Sequence, residues 1–252
     1  MPEPAPGVLS ASFARVLVWD APTRVCHWLL VVCFAGAYGT ANRGGWEWVH
    51  ATLGYTASGL VLFRILWGLC GTRYVRFSHS IQRPAAVITY LAQLPYGWSK
   101  RYLGHSPASA LLVIFFLALA LVVCASGWAQ RSSTPSMDFG GRLHAAAAGT
   151  MLATIGLHMT FILFSSWRSG ENLLLSLITG TKWGTPSEAI PSARPRVALL
   201  LLAAVLGFWL YQWVSFSGGG RAPEKPIPVV QMTLHFEDVA HLPHHRHAHP
   251  AC

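Results

Sequence analysis

Leu143 to Phe164, LHAAAAGTMLATIGLHMTFILF, is an unbroken apolar stretch that carries two histidines, His144 and His158. As a helix it is long enough to cross the ~30 Å hydrocarbon core of a bilayer. The histidines lie fourteen residues apart, which at ~1.5 Å per residue is about 21 Å along the axis. At ~100° per residue they return to within about 40° of one face. One face of this helix therefore presents an imidazole near each membrane boundary, and ionisable side chains inside a span are costly enough to mark function by default.

Composition points the same way. Hydrophobic residues make up 53% of the chain and charged residues 11%, against ~25% charged in an ordinary soluble domain, so the surface cannot be clothed in water. The chain reads as an integral membrane protein held in lipid. Its net charge of +9 does not argue for nucleic acid, because the basic residues fall in loops between apolar runs, where membrane orientation needs them. Five cysteines, at 26, 33, 70, 124 and 252, form neither CxxC nor CxxCH, which leaves no covalent haem-attachment motif and no evident disulfide framework. A nucleotide-binding glycine motif is also missing, so no flavin or nicotinamide site is expected within the chain.

Residues 1–24 hold no apolar leader core, and no cleavage is expected there. The first span is read over Val25 to Thr40, starting a few residues earlier, with His27 near its first end. The second, Trp48 to Leu69, begins with His50, carries Arg64 near its end, and has Gly54, Ser58 and Gly59 as small residues giving room for close helix approach or a flat cofactor. For Arg64 two readings stand, snorkelling to the headgroups or pairing with a haem propionate or quinone headgroup. A basic connection, 71–107, leads to the third span, Ala108 to Trp128; the fourth is the histidine-bearing stretch above. A second basic connection, 165–196, precedes a fifth span, Val197 to Phe216, which has no ionisable residue and reads as an anchor or packing helix.

Loop charge orients these spans. The 71–107 and 165–196 connections carry most of the Lys and Arg, and the positive-inside rule places them in the cytoplasm. Five spans then give a cytoplasmic amino terminus and a periplasmic carboxyl terminus in a bacterial inner membrane. Spans one and four put His27 and His158 at the inner side, while spans two and four put His50 and His144 at the outer side. A single such histidine is better explained as a partner for a backbone carbonyl between helices or as an interfacial residue. Four that sort into two pairs, each at one depth, favour bis-histidine ligation of two b haems, an arrangement suited to electron transfer rather than oxygen binding.

Several stretches carry a family resemblance: VWDAPTRVCHW at 18–28, the His50 to Gly54 spacing with Arg64 and Trp67, GTRYVRFS at 71–78, RYLGHSP at 101–107, and His144 with His158. Over roughly residues 15–185 the chain is similar to the bacterial cytochrome b561 and nickel-iron hydrogenase b-type cytochrome family. The resemblance implies a four-helix b-haem core that exchanges electrons between a quinone pool and a redox partner. It also implies, position by position, that His27, His50, His144 and His158 are the haem ligands. The family pattern has GHNP where this chain has GHSP at 104–107; Ser is itself a good helix cap and Pro a good first helical residue. His105 is thus a secondary candidate, as a propionate or quinone contact.

The expected architecture is all-α: an integral membrane four-helix haem-binding bundle (25–185) after the N-terminal segment (1–24), then a linker and fifth transmembrane helix (186–216), then an extramembrane tail (217–252). The tail has a strand-like 229–236 stretch and a run of histidines, His235, His241, His244, His245, His247 and His249, that fits no defined zinc motif. The expected role is an electron-transfer subunit of a membrane oxidoreductase, in a respiratory chain, between quinone and a periplasmic redox protein such as a c-type cytochrome. Two alternatives stand beside it: the membrane subunit of a nickel-iron hydrogenase, with hydrogenase subunits as partners, and a stand-alone oxidoreductase acting on superoxide or ferric iron.

Overall fold

The structure is a computed structural model that describes residues 13–80, 84–93, 102–132 and 139–218. The chain falls into two compact units, Met1–Gln212 and Trp213–Cys252. Of the second, only the closing turns of the last helix are among the described residues. The histidine-rich tail and its strand-like stretch lie outside them.

Helix α1, Ala21–Thr40, begins earlier than hydropathy alone suggests, and a cap explains why. Asp20 Oδ1 accepts from the Thr23 amide at 3.0 Å, and Pro22 sits in the first turn, where its missing N–H costs nothing. The same carboxylate, fully buried, accepts from Trp67 Nε1 at 3.1 Å and from the Thr72 hydroxyl at 2.7 Å through its other oxygen. One side chain thereby ties the start of α1 to the end of helix α2, Glu47–Cys70.

The two helices run antiparallel along their length. Cys26 lies against the Leu60 carbonyl near one end and His50 against the Ala37 carbonyl near the other. Gly36 permits the approach, since a Cβ there would stand 2.7 Å from Leu53 Cδ1. Among the described residues, four helices are long and apolar enough to cross a membrane: α2, α5 (Pro107–Ser132), α6 (Phe139–Ser169) and α8 (Pro195–Gly218). The expectation of five apolar spans is thus met by four on composition. α1 falls short because Thr23, Arg24 and His27 occupy its first turns, yet its 20 residues extend ~30 Å alongside α2.

α2 packs on α5, and α5 on α6. α8 joins the other face of α2 through a shared core of Cys26, Cys33, Leu60 and Val205, and through two polar contacts, Trp209 Nε1 to Thr56 Oγ1 at 2.9 Å and Gln212 Nε2 to Thr52 Oγ1 at 3.3 Å. Both threonines also donate to the carbonyl one turn back, so neither hydroxyl is left bare in the apolar layer. Leu62, Leu66, Leu157, Leu199 and Leu200 are exposed, as lipid-facing positions are.

The connections read as loops in the sequence hold structure of their own: α3 (Phe77–Ser80), α4 (Pro84–Gln93), α7 (Leu173–Thr179) and a 3-10 turn, Pro186–Glu188. Strand β1, Ala14–Leu17, pairs antiparallel with β2, Thr181–Gly184, in the register Ala14 opposite Gly184. Gly180, at φ +84, closes α7 in the left-handed conformation and lets the chain turn straight into β2. A second core of Val16, Val18, Trp19, Tyr74, Val75 and Ile190 sits over this small sheet, and Tyr74 Oη donates to the Glu188 carbonyl at 2.8 Å. The start of α1, the end of α2, the end of α6 and the start of α8 are therefore gathered at one end of the bundle.

Candidate functional site

At the far end of the bundle, His50 stands in the first turn of α2 and His144 in the first two turns of α6. Their ring centroids are 6.0 Å apart with the planes at 72°. Each ring is held by a backbone carbonyl of a neighbouring helix. His50 Nδ1 lies 2.8 Å from Ala37 O of α1, and His144 Nδ1 lies 2.9 Å from Val123 O of α5, with Ser126 Oγ at 3.4 Å. A carbonyl only accepts, so Nδ1 carries a proton on both rings, and in the neutral imidazole the lone pair is the one on Nε2. That tautomer, fixed by an outer carbonyl, is the one a metal-ligating imidazole needs. Gly127 makes the arrangement possible on α5, because a Cβ there would lie 3.0 Å from two ring atoms of His144.

His27 and His158 belong to the other end. His27, on α1, meets Trp28 edge to face at 5.5 Å and lies within electrostatic range of His158. His158, on α6, packs edge to face on Phe116 of α5 at 5.5 Å, and its Nδ1 is buried with no hydrogen-bond partner among the described residues. Arg64 is buried as well, its Nη1 likewise unpartnered and its guanidinium 5.2 Å from the centre of the Phe77 ring. His105, in the loop before α5, rests on Trp19 at 4.9 Å. Burial, then the nearby charges of Arg64, Lys182 and His158, push its pKa down to about 4, so it is neutral at physiological pH.

Sequence reasoning missed Lys182. Counted as a loop charge, it is buried on β2, with Nζ donating to the Tyr102 carbonyl at 3.3 Å. Its signal would have been the two-residue alternation of a strand, which four residues state too weakly. Phe116, Gly127 and Ser126 were missed as well, as were the two carbonyls, which every residue type carries alike.

These residues can be tested against a haem. A b-type haem would be held by neutral imidazoles. Among the described residues no three His, Cys, Asp or Glu side chains converge on a metal position; the histidines come as twos. At the His50 and His144 end the Nδ1 atoms are engaged on carbonyls, and a Cβ added to Gly54, one turn after His50, would meet open space. At the opposite end the His158 Nδ1 and an Arg64 guanidinium nitrogen are buried without a partner among the described residues, where each needs one. The donor set and the orphaned atoms fit the group.

A helical multi-pass membrane protein with paired, half-buried imidazoles fits, as a class, a membrane b-type cytochrome. The chain belongs to the prokaryotic cytochrome b561 family, whose model matches residues 18–180. Comparison with curated proteins and with solved structures gave no match. Membership brings b-type haem binding and a place in electron transfer. The matched region ends after α7, so α8 and the tail beyond it lie outside the match.

Proposed function

We propose that this chain is a di-haem cytochrome that relays electrons between the membrane quinone pool and a periplasmic redox partner. The observation that carries the reading is the outer pair, two imidazoles 6.0 Å apart with both Nδ1 atoms engaged on carbonyls. His50 and His144 would hold one haem and His27 and His158 the other. Bound haem supplies one-electron chemistry at its iron. The chain's own residues would supply the rest: imidazole lone pairs, ring orientations fixed by Ala37 and Val123, exclusion of water by packed apolar helices, and positive charge from Arg64, with His105 as a second polar contact beside it. Buried cations favour carboxylate groups on a bound cofactor and shift the balance between its oxidised and reduced forms.

Topology fits a relay across an inner membrane. Arg73, Arg76, Lys182, Arg194 and Arg196 lie at the end where β1 and β2 pair, which the positive-inside rule assigns to the cytoplasm. His50 and His144 then face the periplasmic side. The test is pyridine haemochrome analysis of the detergent-purified chain and of His27→Ala, His50→Ala, His144→Ala and His158→Ala. Two haems per chain, with each substitution costing about one, is the expected result. A stoichiometry of one, or single substitutions that leave it unchanged, would remove the two-pair reading.

A further inference from the structure

We propose that the cleft between the end of α2 and the start of α8 is a headgroup site for an anionic phospholipid. The cavity, of about 310 Å³, is lined by Cys70, Gly71, Thr72, Arg73, Arg76, Pro191, Ser192 and Arg194. Three of its eight lining residues are arginines and none is acidic. Arg73 leans over the Tyr74 ring at 5.6 Å, whereas Arg76 and Arg194 are exposed and make no side-chain hydrogen bond or ion pair to a described residue. Ser192 Oγ accepts from the Arg194 amide at 3.2 Å, which leaves its hydroxyl proton for a ligand. The Thr72 proton is committed to Asp20, so Thr72 can offer only its lone pairs and is not a donor here.

The exposed guanidiniums of Arg76 and Arg194 on one cavity repel one another unless an anion lies between them, and a phosphate matches their planar fork of donors. Position selects the source. Cys70 ends one apolar span and Pro195 begins another, so the cavity opens where acyl chains give way to headgroups. Basic pockets between spans on the cytoplasmic side are where anionic headgroups bind. That this end is cytoplasmic rests on the topology proposed above; the anion chemistry does not, and it is independent of haem.

The experiment is native mass spectrometry of the haem-loaded full chain released from detergent after incubation with equimolar phosphatidylglycerol and phosphatidylcholine. Phosphatidylglycerol is expected to remain bound in preference, and Arg76→Gln with Arg194→Gln to weaken its retention by about 30-fold for the two charges removed. The Arg76→Lys with Arg194→Lys pair should restore much of it, and Arg196→Gln, exposed but outside the cavity, should leave it unchanged. An unaltered haem spectrum and an unaltered thermal midpoint in phosphatidylcholine show that the variants are folded. Equal retention of the two lipids, or a preference that survives the double glutamine variant, overturns the proposal. Displacement of phosphatidylglycerol by millimolar inorganic phosphate overturns it too, assigning the cavity to a soluble anion.

Discussion

Gly127 faces His144 so closely that its one missing methyl group sets where the ring sits. A Cβ at 3.0 Å from Cε1 and Nδ1 requires the imidazole to give by a few tenths of an ångström, and the ring is pinned by its bond to Val123 O. On the di-haem reading proposed above, Gly127→Val is therefore expected to lose about one of two haems, with Gly127→Ala losing less. Gly149→Ala, on α6, where a Cβ meets nothing within 4 Å, should retain both. Haemochrome analysis of the three variants checks this, and equal content in all three would show that the α5 contact does not position the ring. His105 offers a second test. Its pKa is near 4 in the folded chain against 6.5 in the unfolded one, so between those values the unfolded chain binds more protons and stability rises with pH. As the haem-depleted protein is taken from pH 6.5 towards 4 it should lose stability, by roughly 3 kcal/mol from this residue at the most. Thermal midpoints across that range should slope less for His105→Phe; an unchanged slope would assign the acid loss to other groups.

Elements were the most legible level. The runs that became α2, α5, α6 and α8 are apolar over a bilayer's width, a signal that tertiary contacts cannot override. α1 begins a few residues before its apolar run, as read, and the cap at Asp20 with Pro22 fixes the start at Ala21, a position hydropathy alone does not give. The β1 and β2 pairing could not be read. Its partners are Ala14 and Gly184, and nothing local in a four-residue strand announces a mate so distant. In the same way, depth arithmetic gathered the histidines into pairs, but it could not supply Ala37 O or Val123 O, which belong to the packing of helices. Asp20 shows what that packing rests on. Asp20→Ala removes the α1 cap and leaves Trp67 Nε1 and the Thr72 hydroxyl facing a buried gap, a loss on the order of 3 kcal/mol that should appear as a lowered thermal midpoint in detergent. Trp209→Phe is expected to cost far less, about 0.6 kcal/mol, because the Thr56 hydroxyl keeps its bond to Thr52 O. Equal losses from the two would mean that the hold of α8 on α2 matters as much as the Asp20 knot.

For the whole molecule, the open question is which helices cross, because each crossing reverses the side on which everything after it emerges. α1 is too polar at its start to be counted on composition, but its neighbours settle where its ends lie. Asp20 bonds Trp67 and Thr72 at the end of α2, β1 pairs with β2 just before α8, and His50 meets Ala37 near the opposite end. A helix fixed at both ends to a spanning partner crosses with it, and Arg24 sits at the boundary, donating to the Ile178 carbonyl at 2.6 Å. The native cysteines allow this to be measured. In a variant with Cys70 alone retained, an impermeant maleimide should label inverted vesicles and spare spheroplasts; with Cys252 alone retained the pattern should reverse, since α5, α6 and α8 intervene. A single cysteine introduced as Phe13→Cys should label on the Cys70 side, with α1 and α2 between them. Labelling of that cysteine on the opposite side would mean that α1 does not cross, leaving His27 without a fixed depth and the inner pair without its first member. Labelling of Cys70 from the periplasm would instead invert the whole relay, placing the His50 and His144 pair on the cytoplasmic side and the cluster of arginines where the positive-inside rule forbids it.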